Sequence, residues 1–445
     1  MDYAARKAIN GRVLACLAAA ALALNAMAVP EVTGVSARQR WPWNNLVDVT
    51  FTVSGSDSTE TFYRVDISAV YPGVAGDRLP ARTLLDEPLV KGDGSYRFVW
   101  DMGADAPGLV TSNLTVQVTV APFVETEPVY MVVDLSGGPE AASYPVHYTF
   151  DAPDLSDDTC RTTELWLRRC PAGIFQMGFT SGDSADSVPP HFVRLTKPFY
   201  IAVFETTQQQ WYQVMGTWPS YFANAECRAT RPVEKVTLAL MRGNSGPNWY
   251  TTPISQVAAT SFMGRLRARA GAALATADLP TEAQWEYACR AGTTTPTYYS
   301  SITGADFWSP ARYAGRSKYN SNSGSYNADS DTTAGTAKVG SYPANPWGLY
   351  DMVGNVLEWC GDGNPYTSTT AWDNESAFSA FTQASPMVDP RTTLPSGSYG
   401  DYWGAWVGRG GSWLLDWNWL SSQRRYRLWD DAKDSWGFRT CVTGL

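Results

Sequence analysis

The stretch NPWGLYDMVGNVLEWCGD, residues 345–362, carries three carboxylates, of which Asp351 and Glu358 lie on one short loop with no basic neighbour inside the motif. Like charges that converge repel each other, so such a loop calls for a cation or for each carboxylate to cap loop amides. The text on either side of it is equally uneven. Residues 293–350 are dense in Ser, Asn, Thr and Gly, and a loop that long inside a compact domain needs an anchor or a function.

Further upstream the helix signals are clear. In LPTEAQWEYACRAG (279–292), Thr281 and Gln284 form a capping box, Trp285, Ala288 and Cys289 line one face, and Gly292 supplies a stop. ETTQQQWYQVMG (205–216) repeats the arrangement with Thr207, Gln210 and Gly216. From Cys160 onward, short helices of this kind sit among long loops.

Residues 29–150 read differently. Val47, Val49, Phe51 and Val53 alternate with polar residues, as do Tyr63, Val65, Ile67 and Ala69, then Tyr96, Phe98 and Trp100, then Leu114, Val116, Val118 and Val120. Period-two runs separated by Gly, Asp and Pro turns predict an all-β sandwich of immunoglobulin or fibronectin-III type. The acidic stretch DAPDLSDD marks a linker at 151–159, and residues 160–445 form the second domain.

Composition narrows the function. The 445 residues include 19 Trp but only 2 His, and the net charge is −9. Few histidines leave little room for imidazole chemistry, and the acidic balance argues against nucleic acid as a partner. Residues 1–28 read as a signal peptide, with Arg6, Lys7 and Arg12 before an apolar run and Ala26-Met27-Ala28 at the cleavage site. That run, residues 13–24, is shorter than the roughly 20 residues of a membrane span, and no later stretch is apolar enough for one. The expected destination is therefore secreted, periplasmic or cell-surface. In an oxidising compartment a local disulfide between Cys160 and Cys170 is the favoured pairing, with two buried thiols as the alternative.

Seven phrases, in order, carry a resemblance: CPAGIFQMG (170–178), FETTQQQWYQVMG (204–216), RPVEKV (231–236), LPTEAQWEYACRAGT (279–293), the stretch at 345–362, RGGSW (409–413) and WGFRT (436–440). Together they resemble the formylglycine-generating enzymes, or sulfatase-modifying factors. The resemblance implies a loop-rich α+β domain related to C-type lectins, following the β-sandwich. It also implies a calcium site at Asp351, Gly354, Val356 and Glu358, whose hard oxygen donors suit that ion. A second family calcium site maps onto Asp331, Tyr313 and Thr333, where Arg312 replaces an oxygen ligand.

The resemblance breaks at the chemistry. The oxidases of the family carry a cysteine pair after Gly-Gly-Ser, and its spacing lands here on Leu415 and Leu420. Leucine offers no thiolate for copper or for a mixed disulfide, and the two histidines make no set for iron, so neither copper nor iron is an expected cofactor and no catalytic residue is assigned. In their place stands a face rich in Trp, amide and carboxylate groups: Asp416, Trp417, Asn418, Trp419 and Arg424. Trp413 belongs to the core. Such a face suits a glycan or protein ligand. Two alternatives stay open: an oxidoreductase or protein-modifying enzyme with other catalytic residues, and a variable ligand-binding protein of a diversity-generating system.

Overall fold

The computed structural model describes residues 30–40, 46–56, 62–70, 78–81, 83–84, 89–106, 108–109, 114–122, 128–178, 189–243, 257–298, 311, 334–363, 382–383, 385–391, 406–416, 419–429 and 431–444. The expected signal peptide and the second calcium site (Asp331, Tyr313, Thr333 and Arg312) lie outside these residues. The chain divides into two compact units, Met1–Thr126 and Glu127–Leu445.

In the first unit, β1 (Glu31–Gln39), β2 (Leu46–Ser54) and β6 (Gly94–Asp101) form one antiparallel sheet in the order β1-β2-β6. The second sheet centres on β3 (Phe62–Val70), which pairs with β4 (Leu79–Pro80), β5 (Leu89–Lys91) and β7 (Thr115–Pro122). The alternating residues behave as their period requires. Val47, Val49, Phe51 and Val53 of β2, Tyr63, Val65, Ile67 and Ala69 of β3, Phe98 and Trp100 of β6, and Val118 and Val120 of β7 share one apolar core. The buried Trp100 ring is pinned at its polar end, where Nε1 donates to Asp105 at 2.7 Å.

The boundary drawn at residue 150 needs correction. The strands β8 (Tyr130–Asp134) and β9 (Val146–Thr149) belong to the second unit. They join β10 (Glu164–Cys170), β13 (Phe199–Ala202) and β19 (Cys441–Thr443) in a five-stranded sheet ordered β19-β13-β10-β8-β9. Met131 and Val133 of β8 are fully buried in the same cluster as Leu165 and Leu167 of β10, which is why they pair there. The acidic stretch is likewise part of this unit. The buried Arg161 side chain donates to Leu155 O and Asp157 O and pairs with Asp158 at 3.0 Å, while Asp154 and Asp157 cap Ser156 and Thr159 N–H groups.

The expected Cys160–Cys170 disulfide is overturned: no bond joins the two. Cys160 lies in the turn of helix Thr159–Thr162, and Cys170 closes β10. The seven-residue strand between them sets its ends roughly 20 Å apart at about 3.3 Å per residue, far beyond the Cα separation a disulfide tolerates. They also belong to different apolar clusters. Burial pushes the Cys160 thiol up to about 11.

Both capping boxes form as read. Thr207 and Gln210 close helix Gln208–Met215, and Thr281 and Gln284 close helix Glu282–Arg290. Gly216 ends the first helix in the left-handed conformation, whereas the second ends one residue earlier than expected, at Ala291 (φ 46°). Two smaller sheets complete the frame. In one, β11 (Gly173–Met177) pairs antiparallel with β12 (His191–Leu195), which pairs in parallel with β15 (Met387–Val388). The other joins β14 (Leu357–Gly363), β16 (Trp406–Arg409), β17 (Arg425–Leu428) and β18 (Trp436–Gly437) in the order β17-β16-β14-β18. The unit is β-rich with a few short helices. Among the described residues no helix is long and apolar enough to cross a membrane.

Candidate functional site

The loop before β14 is wound tightly. Asp351 and Asn355 both take positive φ, 55° and 57°, a conformation that Asn and Asp adopt more readily than most residues. Side chains hold these turns in place. Asp351 accepts Gly340 N–H at 2.6 Å. Glu205, just before helix Gln208–Met215, accepts Val356 N–H at 2.9 Å and the Asn355 amide at 2.6 Å. Glu358 receives Arg439 Nε at 2.7 Å, Arg439 Nη2 at 2.6 Å and Trp285 Nε1 at 2.8 Å.

Glu205, Asp351 and Glu358 are thus three buried carboxylates near one guanidinium. The imbalance shows in their protonation. Burial, then the neighbouring Asp351 and Glu358 charges, push the Glu205 carboxyl well above its usual range. Burial raises Asp351 to about 6. Asp351 and Glu358 are hard oxygen donors of the kind a divalent cation takes. Arg439 competes for Glu358, however. Among the described residues no group of three or more His, Cys, Asp or Glu side chains is disposed to hold a metal.

The Gly-Gly-Ser-Trp segment leaves β16 directly beside this loop. Glu358 pairs with Arg409 across the sheet, Gly354 N–H donates to Gly410 O at 3.0 Å, and Trp413 N–H donates to Asn355 O at 2.8 Å. The approach is close. A Cβ on Gly410 would lie 3.1 Å from Met352 O and from the Trp285 ring, and one on Gly411 would lie 2.3 Å from Leu420 Cδ2. Both glycines also have positive φ, at 90° and 76°. Beneath them Arg409 is fully buried between Glu282, at 2.9 Å, and Glu286, and Arg425 pairs with Glu282 as well. Burial alone would weaken the Arg409 charge, but the two carboxylates outweigh it and hold the guanidinium firmly protonated.

Leu420 is buried in the cluster of Trp285, Cys289, Met352 and Val353, and Leu415 packs against the same cluster. Trp413 is buried as expected, edge-on to Phe222 at 5.2 Å between ring centroids. Asp416 is exposed, Trp419 is 38 % exposed, and the Arg424 guanidinium stacks 3.7 Å over the Trp419 ring. Trp417 and Asn418 lie outside the described residues.

The sulfatase-modifying factor enzyme 1-like domain model matches residues 155–443. The chain belongs to this family. A chaperone protein LppX of Paenibacillus barcinonensis is 32 % identical over 205 residues, which cover 39 % of this chain and 66 % of that protein. A formylglycine-generating enzyme of Streptomyces coelicolor is 29 % identical over 248 residues, 50 % of this chain and 72 % of that enzyme. A serine/threonine-protein kinase pkn1 of Chlamydia caviae is 41 % identical over 88 residues, which span 20 % of this chain and 11 % of the kinase. Parts of the sequence, at most half of the chain, are therefore similar to proteins whose names describe different roles.

Two members of the carboxylate cluster escape a reading of the sequence. Glu205 and Arg439 stand inside the phrases that carry the resemblance, yet their partners lie 150 and 81 positions away along the chain. No local pattern signals such a pairing.

Proposed function

We propose that this chain is an exported, non-oxidase member of the family whose second unit binds a glycan or protein ligand through the segment 413–424. One observation carries the reading. Leu415 and Leu420, at the positions where the family's oxidases keep their thiols, pack on a single apolar cluster. Neither side chain ligates a metal or attacks a sulfur. In this reading the Arg424–Trp419 stack and the Asp416 carboxylate supply the recognition groups, since Trp and Arg dominate binding energy at protein interfaces. The relative named a chaperone favours a protein ligand. Calcium would be held by Asp351 and Glu358 with the carbonyls of Gly354 and Val356, and would act by neutralising the loop rather than by catalysis. The first unit is an immunoglobulin- or fibronectin-III-like module that presents the second.

An enzyme of the same family with other catalytic residues is the competing reading, and a variable protein of a diversity-generating system is a third. A glycan array together with an aggregation assay on an unfolded client protein tests the proposal. Binding or protection that disappears in D416A/W419A/R424A, with melting temperature unchanged, supports it. Inactivity in both assays, or activity indifferent to the triple substitution, rejects it.

A further inference from the structure

We propose that Asn355 is the positioning residue of the recognition segment. This rests on the reading of 413–424 as that segment, but its geometry and its test stand without a ligand. Asn355 is 1 % exposed and meets three separate stretches of chain. Its Oδ1 accepts Ala337 N–H at 2.8 Å, and its carbonyl accepts Trp413 N–H at 2.8 Å. Its Nδ2 donates to Glu205 Oε2 at 2.6 Å and, at 3.4 Å, to Ala337 O. The side chain therefore fixes the peptide that in turn fixes Trp413.

The chain beyond Trp413 inherits that placement. Trp413 is held at its far end as well, where Nε1 donates to Asp434 O at 3.1 Å. From there the chain turns on itself. Leu415 N–H returns to Ser412 O at 3.1 Å, and Trp419 N–H returns to Asp416 O at 3.0 Å. Tyr426 Oη then donates to Trp419 O, and Arg424 closes over the Trp419 ring. The first external anchor in this series is the Asn355 carbonyl. Its orientation depends on a left-handed φ of 57°, which the side-chain bonds select. Buried polar groups that lose such partners do not find water in exchange, so loosening Asn355 frees Trp413 rather than replacing its contact.

Hydrogen exchange of the full chain tests the assignment. Asn355→Gly keeps the left-handed backbone and removes the side-chain bonds. Exchange at the Trp413, Leu414 and Leu415 amides should rise about tenfold more than in Leu266→Ala, a destabilised control with the same melting temperature. The exchanged pair E205Q/N355D reverses donor and acceptor. The amide introduced at position 205 then donates to a carboxylate at position 355 that still accepts Ala337 N–H, while its oxygen still accepts Val356 N–H. Protection lost in Asn355→Asp alone should return in that pair. Equal exchange in Asn355→Gly and the control, or no recovery in the pair, overturns the proposal. If Asn355→Gly does not fold, the comparison of Asn355→Asp with the pair decides alone. Ligand binding by Trp419 variants is read separately, so either claim can fail without the other.

Discussion

Arg439 and Glu358 meet edge to edge, Nε 2.7 Å from Oε2 and Nη2 2.6 Å from Oε1, with both side chains essentially shut off from solvent. Arg439 spends its remaining donors on the carbonyls of Ala202 and Tyr350, at 2.9 Å each. A buried ion pair of this kind adds little net stability over an apolar pair, but losing one partner strands the other. Arg439→Met should therefore cost about 3–5 kcal/mol, measured by urea unfolding. The double variant E358L/R439M should lose distinctly less than the sum of its two singles. Additive losses would show that the pair does not act as a unit.

Calcium at the Asp351–Glu358 loop should raise stability. At a concentration about a hundredfold above the dissociation constant, the gain is roughly 2.7 kcal/mol. Melting in chelator and again after calcium is restored measures it. Glu358→Gln keeps the shape and removes a charge, so it should lose most of the response. Identical curves with and without calcium in the unsubstituted protein would mean that the carboxylates serve only as caps and as partners of Arg439.

Glu234 should make the protein less stable as pH rises through neutrality. Its oxygens accept Tyr221 and Phe222 N–H groups at 3.0 and 2.9 Å, which favours the anion. Burial outweighs them, with a smaller push from Asp434, and raises the carboxyl from 4.5 to about 8. The folded state thus keeps a proton that the unfolded chain releases above 4.5. The associated stability is full below that pH, falls on the way to about 8 and levels off beyond it, a loss on the order of a few kcal/mol. Subtracting the unfolding free energies of Glu234→Gln from those of the unsubstituted chain, between about pH 5 and 9, isolates the slope. A flat difference would place the carboxyl in its ordinary range.

Incubated with copper, oxygen and a sulfatase-type cysteine peptide, the protein should yield no aldehyde. Aldehyde-specific labelling reads this directly. A clear signal would reopen the oxidase reading, because Leu415 and Leu420 cannot supply the thiols.

Local chemistry was legible, and pairing at a distance was not. The boxes at Thr207–Gln210 and Thr281–Gln284 lie within one turn, so their signals are complete in the sequence. The alternation of Val47 to Val53 suffices to bury that face of β2. Glu358 illustrates the opposite case. Its motif contains no cation, and the guanidinium that answers it arrives from just beyond β18, 81 positions on. The disulfide failed for a related reason. Ten positions look short when written, but an extended strand turns them into a span that no S–S bond bridges. Likewise, the β8 and β9 runs carry strand character without saying which sheet receives them.

The place of those two strands has a practical consequence for anyone shortening the chain. Similarity begins at residue 155, and a fragment cut there would start after β8 and β9. It would lose Tyr130–Asp134, the ladder partner of β10 on that side. Thr163 O and Arg169 N–H, which bond Leu135 N–H and Val129 O, would then lose their partners along a raw edge, while the contacts of Leu165 and Leu167 with Met131 and Val133 would be stripped away. An edge of that character recruits other chains. Such a fragment should be recovered as aggregate, whereas one beginning near Glu127 keeps β8 and β9 alongside β10.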